Sequence, residues 1–170
     1  MKKLAFLSCV MALTVTIACG QADKSKRPSP PAKASATIGN GTTVSIDYSQ
    51  PSVKGRTIGK DIAPYGKVWR AGANEATVFE VNKDVKVEGQ ALKAGKYGLY
   101  AIPGENEWVI IFNKTWNQWG TNYTEGDDAL RVKVKPAKAP QASEKLTYLV
   151  DKSGKVSLLW GNEKVDFKVQ

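Results

Sequence analysis

The sequence predicts an all-β fold, a single antiparallel β-sandwich of jelly-roll or barrel-like form with about eight or nine strands. Apolar residues recur at every second position from Thr42 onward, which is the period of a half-buried strand. Turn-forming Gly, Pro, Asn and Asp residues separate these short runs, and no amphipathic helical pattern extends beyond about two turns. With 170 residues, of which 42% are hydrophobic, the chain is long enough to bury one core.

The first half of the domain contains several predicted strands. TTVSIDY is the first, and it places Val44, Ile46 and Tyr48 on one face. After a long connection, ATVFEV begins the next strand at Ala76. The segment DVKVEGQALKAGKYGLYAI, which starts at Asp84, contains two further strands around a turn that its glycines favour. A PGEN turn follows them.

The second half contains a predicted central strand and a C-terminal meander. Trp108–Phe112 is apolar on both faces, which is typical of a central strand. ALRVKVKP alternates, with Leu130, Val132 and Val134 directed inward, and Pro136 ends it. The segments KLTYLV, KVSLLW and KVDFKV are joined by the predicted turns DKSG and GNE.

The N-terminus has the pattern of an export signal. Two lysines precede the apolar run Leu4–Ala18, which is too short to span a bilayer comfortably and suits a signal peptide. Cys19 follows the small Ala18, an arrangement that resembles the lipobox of bacterial lipoproteins, whose Cys becomes the acylated first residue. Thr16 departs from that pattern, where Leu is usual. Signal cleavage after Ala22 and a transmembrane anchor are the alternatives.

These boundaries define the expected domain organisation and location. Residues 1–18 form the signal peptide, and residues 19–36 form an acylated Cys with a flexible tether rich in Pro, Ser, Ala and Lys. Residues 37–170 form the all-β domain. Two or more acyl chains, such as palmitate, anchor a protein stably to a membrane. We therefore expect an exported lipoprotein of the bacterial cell envelope, on the periplasmic or surface face of the outer membrane.

The composition excludes several classes of chemistry. Histidine is absent, which removes Ser-His-Asp and Cys-His catalysis and His-based zinc sites. Cys9 and Cys19 both precede the domain, so the domain has no thiol chemistry of its own. The net charge of +9 is spread along the chain without the basic stripe of a nucleic-acid-binding protein. We expect a monomer with no cofactor, no metal site and no nucleic-acid partner.

Five segments carry a resemblance to a known family. They are DYSQPSVKGRTIG, APYGKVWRAGANEAT, KAGKYGLYAIPG, WVIIFNK and QWG, in this order. Over about residues 37–169, the chain resembles domain of unknown function family 2911, whose members are mostly exported proteins of Gram-negative bacteria. The resemblance implies an all-β fold and export, and it implies no particular activity.

The first candidate site is the long connection between the first two predicted strands, of about 27 residues, a length that is usually functional in a compact domain. Arginines there offer forked donors for carboxylate, phosphate or sugar hydroxyls, and aromatic rings offer flat faces. The alternative is a structural corner in which Arg70 pairs with Glu75 and either Asn74 or Gly72 is left-handed. The candidate ligand-binding residues in this connection are Arg56, Tyr65, Trp69, Arg70, Asn74 and Glu75.

The second candidate site is the loop FNKTWNQWGTNYTEGDD, which follows the predicted central strand. Aromatic rings beside amide side chains are typical of sugar-binding surfaces, because the rings stack on pyranose faces and the amides bond to hydroxyl groups. The alternative is that these rings only close the sandwich. The acidic residues lack the spacing of a calcium-binding EF-hand loop. The candidate ligand-binding residues here are Trp116, Trp119 and Tyr123.

These features favour a ligand-binding function, with a carbohydrate or another cell-envelope polymer as the ligand. Residues 54–75 and 113–123 are expected to form one end of the sandwich. One alternative is a hydrolase in which Glu75 works with a second carboxylate, as in glycosidases. Another is a structural lipoprotein whose exposed loop docks a partner protein.

Overall fold

Strands dominate the structure, a computed structural model that describes residues 23–39 and 41–170. The predicted all-β fold is confirmed, since the described residues form strands, two short 3-10 turns and no α-helix. The predicted signal peptide and Cys19 lie outside the described residues. The strands are β1 (Pro31–Thr37), β2 (Thr43–Ser49), β3 (Thr77–Val81), β4 (Val85–Val87), β5 (Gln90–Leu92), β6 (Gly95–Ile102), β7 (Trp108–Asn113), β8 (Asp128–Val134), β9 (Pro136–Val150) and β10 (Lys155–Lys168).

Six strands form one antiparallel sheet in the order β1-β2-β3-β6-β7-β8. Successive side chains on a strand point to opposite sides, so alternation decides which face of the sheet is buried. In β2, Val44, Ile46 and Tyr48 are buried in the core, as their spacing predicts. Asp47 lies on the opposite, outer face, where it is partly exposed.

The remaining strands form the second layer of a sandwich-like arrangement. β9 and β10 pair as a long antiparallel hairpin. A bridge between Ser52 and Lys145 widens this layer at one edge, and a bridge between Val87 of β4 and Val169 widens it at the other. β4 in turn pairs with β5. These short pieces cover hairpin edges that would otherwise present free backbone groups.

Aromatic rings join the two layers. The Phe79 and Phe112 rings of the six-stranded sheet lie 4.9 Å apart, and both contact Phe167 of β10. Trp69 stacks on Trp160 with ring centroids 5.1 Å apart and an interplanar angle of 9°. Burial of each ring stabilises the fold by about 2–3 kcal/mol. These contacts therefore fix how one layer lies on the other.

The N-terminal part of the domain differs from the expectation. Composition predicts a tether for residues 19–36, but Pro31–Thr37 form β1 and pair with β2. Lys24–Lys26 form a 3-10 turn that Asp23 caps, its carboxylate accepting a hydrogen bond from the Ser25 amide at 3.0 Å. An edge strand bonds along one side only, so the simple alternation in PAKASAT is enough to form it. The folded domain therefore begins before the expected boundary.

The expected GNE turn is wrong as well. β10 continues through it without reversing, and Gly161 takes a positive φ of 55°. The register of β10 against β9 shifts on both sides of Gly161. A bulge bends and twists a strand without ending it, and glycine permits the left-handed conformation. The Gly-Asn pair therefore marks an irregularity inside a long strand.

β7 is an interior strand of the sheet, as its apolar pattern predicts. It lies between β6 and β8. Trp108 and Phe112 face the main core, while Ile111 joins Tyr100 in a second buried cluster on the outer face of the sheet. Tyr123, from the connection after β7, packs against this second cluster. The outer face is therefore covered where the site is built.

Candidate functional site

The two long connections that carry the predicted site residues meet in the structure. Two backbone hydrogen bonds, each 3.0 Å long, join residues 74–76 to residues 118–120. An isolated β-bridge pairs Glu75 with Trp119 between them. We call these two three-residue segments the clasp.

The clasp lies over the outer face of the six-stranded sheet, not at an end of the sandwich as expected. An isolated bridge pairs Trp69 with Ala101 of β6, so the chain at Trp69 extends the sheet beside β6. Side chains of successive extended residues face opposite sides. Trp69 therefore points into the core, and Arg70 points to the outer face.

Gly120 lets the clasp close around Arg70. A Cβ atom at position 120 would lie 2.2 Å from Arg70 Cδ and 2.8 Å from the Asn74 carbonyl oxygen. Asn74 itself has a φ of 61°, in the left-handed region that Asn adopts more readily than most residues. The WRAGANE segment is thus a tightly packed corner whose backbone leaves no room for a larger residue opposite it.

The segment before β1 holds the clasp in place; we call residues 23–30 the strap. Arg27 Nη1 donates hydrogen bonds to both carboxylate oxygens of Glu75, at 2.9 Å each. Lys24 Nζ lies 3.0 Å from the same carboxylate. The Asn74 side-chain amide donates to a strap carbonyl oxygen at 3.1 Å. Three side-chain contacts therefore tie the strap to one half of the clasp.

Glu75 is ionised in this arrangement. Partial burial raises the pKa of Glu75, but the hydrogen bonds from Arg27 and Lys24 outweigh that effect and lower the pKa from 4.5 to about 2. The Arg70–Glu75 pair expected for a structural corner does not form, because Glu75 points toward the strap and Arg70 points away from it.

An open pocket of about 320 Å³ lies where the strap, the clasp and the outer ends of β2 and β3 meet. We call it the seam pocket. Trp116 lines it and is 36% exposed, and the Lys96 ammonium lies 5.1 Å from the centre of its ring. Asn117 and Gln118 add amide groups, and Glu75 adds a charge. The pocket thus combines a flat ring, amides and a fixed carboxylate.

A second pocket, of about 310 Å³, lies next to the seam pocket, and we call it the arginine pocket. Trp69, Arg70, Tyr100 and Tyr123 line it. Within the described part of the chain, Arg70 Nε is buried without a hydrogen-bond partner. Burial lowers the pKa of Arg70. Gln118 stands between the two pockets, since it lines the first and donates to the Tyr100 hydroxyl of the second at 3.1 Å.

A polar network fixes the far wall of the arginine pocket. The Tyr123 hydroxyl donates to Asp128 at 2.6 Å and accepts from Arg131 at 2.8 Å. Burial, followed by the hydrogen bond to Asp128, raises the pKa of Tyr123 to about 12. Arg131 also bonds to Asp128 at 2.7 Å and pairs with Glu125. The Tyr123 ring is therefore held in place, and its hydroxyl is already fully occupied.

The family comparison agrees with the early start of the domain. The family model described as Protein of unknown function (DUF2911) matches residues 29–169. The chain belongs to the DUF2911 family. The match includes β1 and confirms the resemblance found in the sequence, whereas Lys24 and Arg27 of the strap precede it. Comparison with curated proteins and with solved structures gives no match.

In this DUF2911 domain, some of the predicted site residues line the seam pocket and others line the arginine pocket. Glu75 and Trp116 line the seam pocket, and Trp69, Arg70 and Tyr123 line the arginine pocket. The two sets lie side by side because the clasp joins their connections. Asn74 belongs to the clasp, where it serves to hold the strap.

The other predicted residues line neither pocket. Arg56 donates to two backbone carbonyl oxygens of its own loop, at 3.0 and 2.7 Å. Tyr65 packs against Gly59. Trp119 is 49% exposed, and its backbone, not its ring, takes part in the clasp. The concentration of these residue types in one connection therefore did not mean that they converge.

Sequence reasoning missed three residues of the site: Lys24, Arg27 and Tyr100. The strap residues stand in a Pro- and Lys-rich segment whose composition is that of a tether. Tyr100 sits in a strand pattern that predicts only burial. No local signal marks these three residues, because their roles come from contacts between segments distant in sequence.

The residues that the structure describes have neither a metal-ligand cluster nor a membrane-spanning helix. They contain no cluster of three or more Cys, Asp or Glu side chains that could hold a metal ion. Their helical turns are too short to cross a membrane. In the acidic TEGDDA segment, Asp127 accepts a hydrogen bond from Thr115, and Asp128 accepts from Tyr123.

Proposed function

We propose that this protein is an exported lipoprotein, acylated at Cys19, whose domain binds a carbohydrate or another polar cell-envelope polymer in the seam pocket. The observation that carries the binding proposal is the position of Trp116, Asn117 and Gln118 around one open pocket beside an ionised Glu75.

The chemistry of the seam pocket suits a sugar. An exposed tryptophan ring can stack on the apolar face of a pyranose, and amide and carboxylate groups can bond to its hydroxyls. The volume of about 320 Å³ is near the lower end of the range for small-molecule sites, which fits a short saccharide segment. Because the pocket is open, a polymer can enter it and continue on both sides.

The state of Glu75 favours binding over hydrolysis. A glycosidase needs one carboxyl group that carries a proton at the working pH. Glu75 has a pKa of about 2, and cations bind both of its oxygens. The nearby Asp47, which lines the same pocket, pairs with Lys33 at 3.0 Å. Both carboxylates are therefore suited to accepting hydrogen bonds from a ligand.

Isothermal titration calorimetry with soluble peptidoglycan disaccharides and chito-oligosaccharides tests the binding proposal. We expect saturable binding by the full chain and at least tenfold weaker binding by Trp116→Ala. Trp119→Ala is the matched control, because Trp119 is a similarly exposed ring of the same loop that lines neither pocket. Equal loss in both variants, or no binding of any saccharide, would contradict the proposal.

Anchoring is tested separately by fractionation. Cys19→Ser is expected to move the protein from the membrane fraction to the soluble fraction, because the acyl chains supply the attachment. Retention of Cys19→Ser in the membrane fraction would show that another feature holds the protein there. Neither result changes the expectation for saccharide binding.

A further inference from the structure

Arg70 is the one arginine of the described chain that makes no hydrogen bond or ion pair with another described residue. Arg27, Arg56 and Arg131 all bond to carboxylate or carbonyl oxygens. Arg70 is half-buried, and its Nε is buried without a hydrogen-bond partner. Leaving a buried donor without an acceptor is unfavourable, so this atom requires an explanation.

The arginine pocket around Arg70 is built to keep the guanidinium in position. The chain at Trp69 is fixed by its bridge to β6, and the Trp69 ring stacks on Trp160. The Arg70 stem lies across Gly120, where even a methyl group would collide with it. These contacts leave the fork at the end of the side chain few alternative positions.

The walls of the pocket are aromatic and uncharged apart from Arg70. Its lining includes Val68, Tyr100, Thr121 and Tyr123, but no Asp or Glu. Tyr100 is fully buried, and its hydroxyl accepts a hydrogen bond from Gln118. The pocket therefore offers one cation beside the partly exposed Tyr123 ring and Val68.

We propose that the arginine pocket binds a monoanionic organic carboxylate carried on a flat or apolar body. A carboxylate matches the planar fork of an arginine with two parallel hydrogen bonds. A body of aromatic or apolar character fills the space beside the Tyr123 ring and Val68, since the Tyr100 ring already packs against Tyr123 with ring centroids 5.0 Å apart. A single positive charge suits a monoanion better than a phosphate dianion, whose second charge would have no partner.

This site is independent of the proposed saccharide site. The seam pocket has acidic residues and cations that already pair with one another, whereas the arginine pocket has a lone cation. The Gln118 side chain separates them. Either pocket can therefore be active if the other is not.

Titration of the full-length chain with benzoate, benzamide and inorganic phosphate tests the proposal. Benzoate has the required charge and flat body, benzamide has the same shape without the charge, and phosphate has charge without the body. We expect benzoate to bind at least tenfold more tightly than either. Equal affinity for benzoate and benzamide would refute the role of charge, and tighter binding of phosphate would refute the carboxylate assignment.

Variants assign the binding to Arg70. Arg70→Met is expected to weaken benzoate binding at least tenfold, and Arg70→Lys to recover only part of it because an ammonium cannot form two parallel bonds. Arg56→Met is the matched control, since Arg56 lies outside both pockets. Near-ultraviolet circular dichroism checks that each variant is folded. Full binding by folded Arg70→Met would overturn the proposal, whereas Trp116→Ala is expected to bind benzoate normally.

Discussion

The seam pocket and the arginine pocket lie side by side, yet they differ in whether their charged side chains have partners. In the seam pocket, Glu75 is bound by Arg27 and Lys24, so its charge already has partners within the chain. In the arginine pocket, Arg70 has none among the described residues. Paired charges stabilise a corner, whereas an unpaired buried one lowers stability unless a ligand completes it. This difference indicates that the paired charges of the seam pocket are structural, whereas Arg70 requires an anionic ligand as its partner.

The clasp makes this separation possible. Its backbone bonds fix two connections next to each other, and alternation along the chain then sends neighbouring side chains to different places. Glu75 reaches the strap, while Arg70, five residues earlier, reaches the outer face of the sheet. A substitution that disturbs the clasp should therefore affect both pockets, and substitutions within one pocket should have smaller effects.

The largest effect is expected for Gly120→Ala. The added methyl group would meet the Asn74 carbonyl oxygen at 2.8 Å and the Arg70 stem at 2.2 Å, so both pockets must shift. We expect a loss of about 2–3 kcal/mol in the free energy of unfolding, measured in urea. Gly126→Ala is the matched control in the same connection, because a Cβ there meets nothing within 4 Å. Equal stability of the two variants would mean that the clasp accommodates the added methyl group without a loss in the free energy of unfolding.

A smaller effect separates the two arginines. Arg27→Met removes the partly buried ion pair in which Arg27 Nη1 bonds to both Glu75 oxygens, and it should lower the free energy of unfolding by about 1 kcal/mol. Arg70→Met removes a buried donor that has no partner, so stability should stay the same or rise by up to about 1 kcal/mol. Thermal melts of both variants compare them directly. A larger loss for Arg70→Met than for Arg27→Met would reverse the assignment of structural and ligand-binding charges.

The smallest effect is the pH dependence of the strap. Glu75 has a pKa of 4.5 unfolded and about 2 folded, so the unfolded chain binds more protons between these values. Its stabilisation is complete above about pH 5 and is lost as the pH falls toward 2. Because the side chain is 39% exposed, solvent screening limits this to about 1 kcal/mol.

Urea denaturation at pH 7 and pH 3 measures that loss. Glu75→Gln should be less stable than the parent at pH 7 and should lose less stability on acidification. Glu105→Gln is the control, since Glu105 is exposed and forms no ion pair with a described residue. If Glu75→Gln and the parent respond identically to acid, the strap is not held by this carboxylate.

Alternation and turn chemistry predict most of the fold. Local patterns predict that Val44 and Ile46 point into the core and that β7 is an interior strand. They also predict that β8 ends before Pro136. Other features escaped those patterns, including β5, which lies inside the turn predicted after Val87. The edge strand β1 has a composition that also suits a tether, and Gly161 carries a bulge where a Gly-Asn pair predicts a turn.

The candidate site was only partly predictable, for a physical reason. Residue types indicated that the two connections matter, and the clasp does bring them together. Partners are chosen by tertiary contacts, however: Glu75 pairs with Arg27, 48 residues away, instead of Arg70 close by. Arg56 lies in the same connection as Arg70, but it bonds to its own loop. Pairing over such distances depends on the assembled sheet, which local patterns do not encode.

Acylation at Cys19, as proposed above, would combine with the attachment of the strap to limit the distance between the domain and a membrane. A chain of 18 free residues, as composition predicts for 19–36, could extend by about 60 Å. The strap is tied to the clasp from Lys24 onward, so a lipid on Cys19 would lie at most about four extended residues, or about 14 Å, from Asp23. Such a short distance would keep the domain against its own bilayer, so that it samples only the layer of molecules next to the headgroups.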